Sequence, residues 1–164
     1  MLAADVSEDD SAKFLSFELS DRIYAIDIMN IREIMEYENV EPVPLMPDYV
    51  DGAINLRGSV IAVINLHRRL GIEDKQISQK TCIVIVEVLL NQSVVEVGFK
   101  VDSVSQVFDI QDAHIEDTPS LGGQIDTHFI QGMGKVNGNM VVLLDTKKVL
   151  TIEQLQNFAQ LNRE

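Results

Sequence analysis

The 164 residues contain one cysteine, Cys82, so no internal disulfide framework can form. Cations are scarce as well: 13 Lys and Arg stand against 26 Asp and Glu, a formal net charge of -13. Phosphate binding needs a basic surface, so nucleic acid and anionic membranes are excluded as partners, and the acidity itself reads as solubility. No apolar run reaches the roughly 18 residues of a membrane span. Residues 1–10 lack the basic region and apolar core of a signal peptide, and a cytoplasmic protein is expected. The three histidines, His67, His114 and His128, have no partner at i, i+4 and sit in dissimilar contexts, which reads as surface or structural histidine and not as a metal site. Cys82 lies within the apolar run Cys82-Ile83-Val84-Ile85-Val86, where a thiol behaves as a small hydrophobe and not as a nucleophile. The glycines from Gly132 to Gly138 match neither the dinucleotide fingerprint nor the Walker pattern. No Asp or Glu pair is marked by position as an acid and base couple.

What the chain does have is an internal duplication. Residues 51–71 read as strand, turn, strand and short helix, with Gly58 free to take the positive φ of a tight hairpin and Gly71 supplying the helix stop. Residues 129–150 lie over residues 49–70 without a gap, so that Gly52 meets Gly132, Gly58 meets Gly138 and Leu70 meets Leu150. Asn137-Gly138 between apolar runs is a strong hairpin signal, which makes Arg57-Gly58 a hairpin turn too. Upstream the offset changes from eighty to seventy-three: residues 24–35 lie over residues 97–108, pairing Ile28 with Val101, Ile31 with Val104 and Ile34 with Val107. The second copy therefore holds seven extra residues in a loop between Phe108 and Phe129. Two copies are too few for a solenoid.

In chain order, residues 1–12 form an acidic tail, and residues 13–19 and 23–28 form a hairpin about Ser20-Asp21-Arg22. The period then changes, and Ile31, Ile34 and Met35 predict one or two helical turns. Three prolines within residues 39–47 exclude a central strand and favour an edge or extended connection. Residues 72–79 are a polar connector. Residues 80–90 are too apolar to face water on both sides, which places that strand at the shared centre. Asp145 caps a short helix ending near Leu150, and Thr151 with Gln154 forms a capping box for a last helix over residues 151–164, with Ile152, Leu155, Phe158 and Ala159 on one face. Short strands with regular turns predict a mainly β protein of two duplicated barrel lobes, interleaved over residues 13–150 as approximate repeats 13–71 and 80–150.

Two polar residues stand out from core and generic surface. Arg57 occupies a hairpin tip whose counterpart is Asn137; it is either a solvated turn residue or an anchor for a partner carboxylate or carbonyl. Glu33, amid Ile31, Ile34 and Met35, is either solvated face or interface rim, and the apolar residues around it are core or contact.

Phe14-Leu15-Ser16-Phe17-Glu18-Leu19, Tyr24-Ala25-Ile26-Asp27-Ile28, Ile31-Arg32-Glu33-Ile34, the run from Gly52 through Asn55-Leu56-Arg57-Gly58 to Ile61, Val101-Asp102-Ser103-Val104-Ser105 and Leu144-Asp145-Thr146-Lys147-Lys148-Val149-Leu150 together resemble the CheW family of bacterial chemotaxis coupling proteins, in order from about Lys13 to Leu150. The resemblance implies two SH3-like five-stranded β-barrel subdomains with an apolar groove between them, no enzymatic activity and no cofactor. It also implies a cytoplasmic adaptor coupling the cytoplasmic tips of chemoreceptors to the regulatory domain of a chemotaxis histidine kinase in signalling arrays, with no direct membrane insertion. Carried over, the receptor surface falls on Ile31, Glu33, Gly52, Arg57, Ile83, Val104 and Val107, and a ring contact to the kinase on Leu121. Ala62 and Asn65 depart from the family's frequent Pro and Asp, and Phe99-Lys100 from its usual apolar pair; these bear on which receptor or kinase is served, not on the fold. The end at Glu164 leaves no room for the receiver domain of the related CheV proteins. The competing class is a small-molecule-binding or hydrolytic domain with a pocket between the lobes, which converging histidines and carboxylates in an enclosed pocket would mark.

Overall fold

The computed structural model describes residues 12–110, 115–116 and 128–162. Four hairpins carry the architecture: β1 (Ala12–Leu19) with β2 (Arg22–Asp27), β4 (Val50–Leu56) with β5 (Ser59–Asn65), β6 (Cys82–Leu90) with β7 (Ser93–Val101), and β10 (Ile130–Val136) with β11 (Asn139–Leu144). Each turns on two residues of positive φ, Ser20-Asp21, Arg57-Gly58, Asn91-Gln92 and Asn137-Gly138, whose twist matches that of the flanking strands. Between them lie β3 (Ile31–Glu36), reached through a 3-10 turn at Ile28–Asn30, β8 (Ser103–Ile110) and the short β9 (Ile115–Glu116). Helices α1 (Leu66–Leu70) and α2 (Thr146–Val149) follow the second and fourth hairpins, capped by Asn65 and Asp145, and Gly71 stops α1 in the left-handed region at φ 76°. The capping box of α3 (Ile152–Asn162) forms as expected, with Thr151 N–H donating to Gln154 Oε1 and Gln154 N–H to Thr151 Oγ1.

One expectation fails. Residues 31–36 form strand β3 and not helical turns, and only the 3-10 turn before them is helical.

The strands make two sheets, ordered β8-β1-β2-β11-β10-β9 and β3-β6-β7-β5-β4. The protein is mainly β, with two SH3-like barrel lobes of five principal strands each. The sheets exchange hairpins: β1-β2 pairs with strands from the later half of the chain, and β6-β7 with strands from the earlier half. The registers recur with the offsets seen in the sequence. Val142 stands beside Tyr24 in the parallel pair β11-β2 as Ala62 stands beside Val97 in β5-β7. Both second-copy and first-copy hairpins are bulged at the same place, between Ile130 and Gly132 and between Val50 and Gly52. Closure of each barrel recurs too, Glu41 bridging to Ala53 as Glu116 pairs with Met133.

Three apolar clusters follow. One fills the first barrel (Phe14, Ala25, Val141, Leu143) and one the second (Ile54, Ile61, Val63, Ile83, Ile85). The largest lies between them: it joins Leu15, Phe17 and Leu19 of β1 to Val84, Val86 and Val88 of β6 in one cluster that also holds Leu155 and Phe158 of α3. Strand β6 is thus buried on both faces, alternate residues serving its own barrel and the interlobe core.

Candidate functional site

Strands β3 and β8 are edge strands, each hydrogen-bonded on one side to a hairpin. Equivalent bulges interrupt both pairings, at Ile31/Glu33 against β6 and at Leu15/Phe17 against β8. The extra residue brings side chains three apart onto one face. Ile31 and Ile34 stand opposite Val86 and Val84, and Val104 and Val107 stand opposite Phe17 and Leu15. All four partners belong to the interlobe core. Ile31 and Val104 are half-buried against that core, whereas Ile34 and Val107 remain 44% and 54% exposed. Each barrel therefore presents a two-residue apolar wall on an edge strand flanking the core. Ile34 was missed as a site residue by sequence reasoning, although its alignment with Val107 was visible in the repeat.

The structure joins Glu33 to Arg57. The Arg57 guanidinium, at the tip of β4-β5, pairs with the Glu33 carboxylate on β3. Since β3 and β4 are opposite edges of one sheet, the pair spans the seam of the second barrel. Arg57 keeps 56% of its side chain exposed, so a face of the guanidinium stays open to a partner. Gly52 and Ile83 are placed differently, beneath the surface. A Cβ on Gly52 would lie 2.3 Å from the Glu41 carbonyl oxygen, whose strand-like bridge closes the barrel. Ile83 is fully buried in the second barrel's interior. Leu121 and His114 lie outside the described residues. His67 is a buried structural histidine and His128 lies at the surface.

The model of the CheW-like domain matches residues 13–154. The CheW of Thermotoga maritima is 34% identical over 136 residues, covering 83% of this chain and 85% of its own. That of Rhizobium meliloti is 30% identical over 142 residues, covering 87% and 89%. The chain belongs to the CheW family. Among solved structures, the scaffolding protein TtCheW of Thermoanaerobacter tengcongensis superposes with a TM-score of 0.73 at 32% identity, over 82% of this chain and 88% of that one.

Two of the four residues marked above as departures from the family's pattern, Asn65 and Lys100, are coupled. Asn65 and Lys100 are register partners across the parallel pair β5-β7. The buried Lys100 ammonium sits 3.3 Å from Asp51 and 5.6 Å from the centre of the Tyr37 ring. Asp51 also accepts from the Tyr37 hydroxyl at 3.0 Å and from the Asn65 amide at 3.4 Å. A buried charge persists only when paired in this way. Burial, reinforced by the neighbouring Asp51 charge and hydrogen bond, pushes the Tyr37 hydroxyl well above its ordinary value.

A cavity of about 790 Å³ lies between residues 43–49 and α3, and its titratable lining is limited to Tyr49 and Glu153. Among the described residues no three His, Cys, Asp or Glu are placed to hold a metal. No helix among them is long and apolar enough to cross a membrane.

Proposed function

We propose that this chain is a noncatalytic chemotaxis adaptor, coupling the cytoplasmic tips of chemoreceptors to the regulatory domain of a histidine kinase in membrane-associated arrays. The observation that carries the reading is the pair of equivalent apolar walls, Ile31 with Ile34 and Val104 with Val107, flanking the interlobe core. A helical receptor tip offers apolar side chains at i, i+3 and i+4 spacing, and a groove with an apolar wall on each side accepts them. Glu33 and Arg57 form the polar rim on the second barrel's side, and Arg57 is suited to a receptor carboxylate or carbonyl. Gly52 and Ile83 are assigned to the receptor surface by their family positions, and both are buried in the free chain. Leu121 is assigned to the kinase or ring contact by its family position alone. The hydrolytic alternative would need an acid and base couple in a cavity, which the lining of Tyr49 and Glu153 does not supply. The test is reconstitution with receptor and kinase. Kinase output should respond to receptor ligand only when the chain is present, and output that is equally responsive without it would refute the adaptor role.

A further inference from the structure

The exchange of hairpins gives the molecule an approximate twofold axis. Laying the first copy on the second carries β1-β2 to β6-β7, and β3, β4 and β5 to β8, β10 and β11. The first barrel thereby moves onto the second and the second onto the first, and an operation that exchanges two bodies is a twofold rotation. It relates the two apolar walls, Ile31 with Ile34 and Val104 with Val107. An α-helix has no such symmetry, because its peptide dipoles all point one way. Equivalent walls across the axis would accept a helix in either direction, so the choice falls to side chains at which the copies differ.

The polar rims differ. The seam of the second barrel carries the ion pair of Glu33 and Arg57. Seventy-three residues after Glu33 stands Gln106, and eighty after Arg57 stands Asn137. The fold brings these two together as well, in the lining of a cleft of about 70 Å³ on the first barrel. None of the nine residues that line it is ionisable, although 24% of the chain is charged. The cleft opens where the core side chain is small. Ile85 stands opposite Glu33 and fills the second barrel's interior, whereas the residue opposite Gln106 in the equivalent bulge is the buried Ser16. The Ser16 hydroxyl accepts from the Gln106 N–H at 3.2 Å and donates to the Gln106 carbonyl at 3.1 Å, which fixes that backbone. Within the described residues no hydrogen bond engages the side-chain amide of Gln106 or of Asn137.

We propose that Gln106 and Asn137 form an uncharged rim which, set against the charged rim of Glu33 and Arg57, fixes the direction of the receptor helix in the groove. The inference rests on the adaptor reading. The helix places a carboxylate at Arg57, where it gains a charge-assisted bond, and uncharged polar side chains, carboxamide or hydroxyl, at the amides of Gln106 and Asn137. Reversed, the same helix carries its carboxylate to a rim with no cation to receive it. The difference between a charge-assisted and a neutral hydrogen bond favours the first direction about fivefold.

The probe is a synthetic amphipathic helix with apolar residues at i, i+3, i+4 and i+7, a glutamate flanking that face in one terminal turn and a nitroxide in the other. Gly58 and Gly138, at the two hairpin tips, are related by the twofold, so paramagnetic broadening of their amide signals reports the two directions. In the natural chain the label should broaden Gly138 about fivefold more than Gly58, because the glutamate is held at Arg57. Gln106→Glu with Asn137→Arg copies the charged rim onto the first barrel and should make the two broadenings equal. Both positions are exposed, and Arg57 already occupies the equivalent turn position at φ 53°. Should that variant not fold, Glu33→Gln with Arg57→Asn copies the uncharged rim onto the second barrel, with the same expected result. A bound helix that broadens both glycines equally in the natural chain, that favours Gly58, or whose preference survives either exchange overturns the rims and leaves the groove standing. A helix that leaves both glycines and the wall residues of the natural chain unperturbed overturns the groove and the rims together.

Discussion

Truncating the exposed half of each apolar wall separates contact from core. Burying a Val or Ile side chain fully contributes about 1.5–3 kcal/mol. Val107 still shows 54% of its surface and Ile34 44%, so a partner has about half of that burial left to gain, on the order of 1 kcal/mol at each position. Val107→Ala and Ile34→Ala should therefore each weaken binding of a receptor-tip helix about fivefold. If the sites act independently, the double variant should lose on the order of 2 kcal/mol, about thirtyfold. Stability should fall by only about 0.5 kcal/mol per site, because half of each side chain already faces water. Leu89→Ala is the control. Leu89 is 65% exposed but alternates with Val88, away from the interlobe face of β6, so its truncation should leave receptor affinity unchanged. Calorimetric titration alongside thermal melting reads both quantities. Folded wall variants that bind the receptor helix as well as the Leu89 control does would refute the walls as contact surface.

Gly52→Ala should cost about 1–3 kcal/mol, since the new Cβ meets the backbone oxygen of Glu41 and must force the barrel-closing bridge apart; an unchanged melting temperature would show that the strand relaxes freely. Arg57→Ala breaks an exposed ion pair worth about 0–1 kcal/mol, so it should leave a cooperative melt while weakening receptor coupling; normal coupling in the folded variant would return Arg57 to the role of a seam residue. Burial pushes the hydroxyls of Tyr24, Tyr37 and Tyr49 above 10.0, aided at Tyr37 by Asp51, so the folded state resists their ionisation. Their titration should leave stability flat below about pH 9 and lower it toward about pH 11, as the unfolded chain ionises first. A denaturant midpoint that stays constant over that rise, or phenolate absorbance that appears without unfolding, would contradict this. Cys82 should label more slowly than a free thiol, because burial and then the nearby Glu36 charge push it up; rapid labelling of the native protein would count against that environment.

The sequence made the hairpins legible because their turns are chemically marked, by Asn137-Gly138 above all, and because the glycines recur at one offset. It misread β3 for a physical reason. A bulge adds one residue, so Ile31 and Ile34 share a face of a strand at a spacing of three, which is also the spacing of a helix. The same bulge in β8 gives Val104 and Val107 that spacing, and the repeat alignment was correct even though the element type was not. The exchange of hairpins left no local trace, since an offset records which segments are alike and not which ones pair. Gly52 and Ile83 were assigned to the receptor surface by family resemblance alone; the contacts that bury them, with Glu41 and with the interior of the second barrel, were not visible in the local pattern. His67 was read as structural or superficial, but its partner Asp102, thirty-five residues on, could not be named.

An edge strand exposes unpaired backbone groups and invites an added strand, so β3 and β8 could in principle recruit an extended peptide as readily as a helix. The bulges weigh against the peptide. Each breaks the even ladder that strand addition needs, in the stretch that carries the apolar walls. On β3 the Arg57 side chain also crosses to Glu33, and past its end Glu41 is already bonded to Ala53, so the seam edge is occupied by the barrel's own closure. What stays available is side chains, two per barrel, which the apolar face of an α-helix can meet without an unbroken backbone ladder. The exchanged hairpins then make the two walls interdependent. Ile31 and Ile34 rest on β6 from the later half of the chain, and Val104 and Val107 rest on β1 from the earlier half, so neither half can present its own wall without the other. Under the proposed function, a receptor helix held by both walls would depend on the relative position of the barrels.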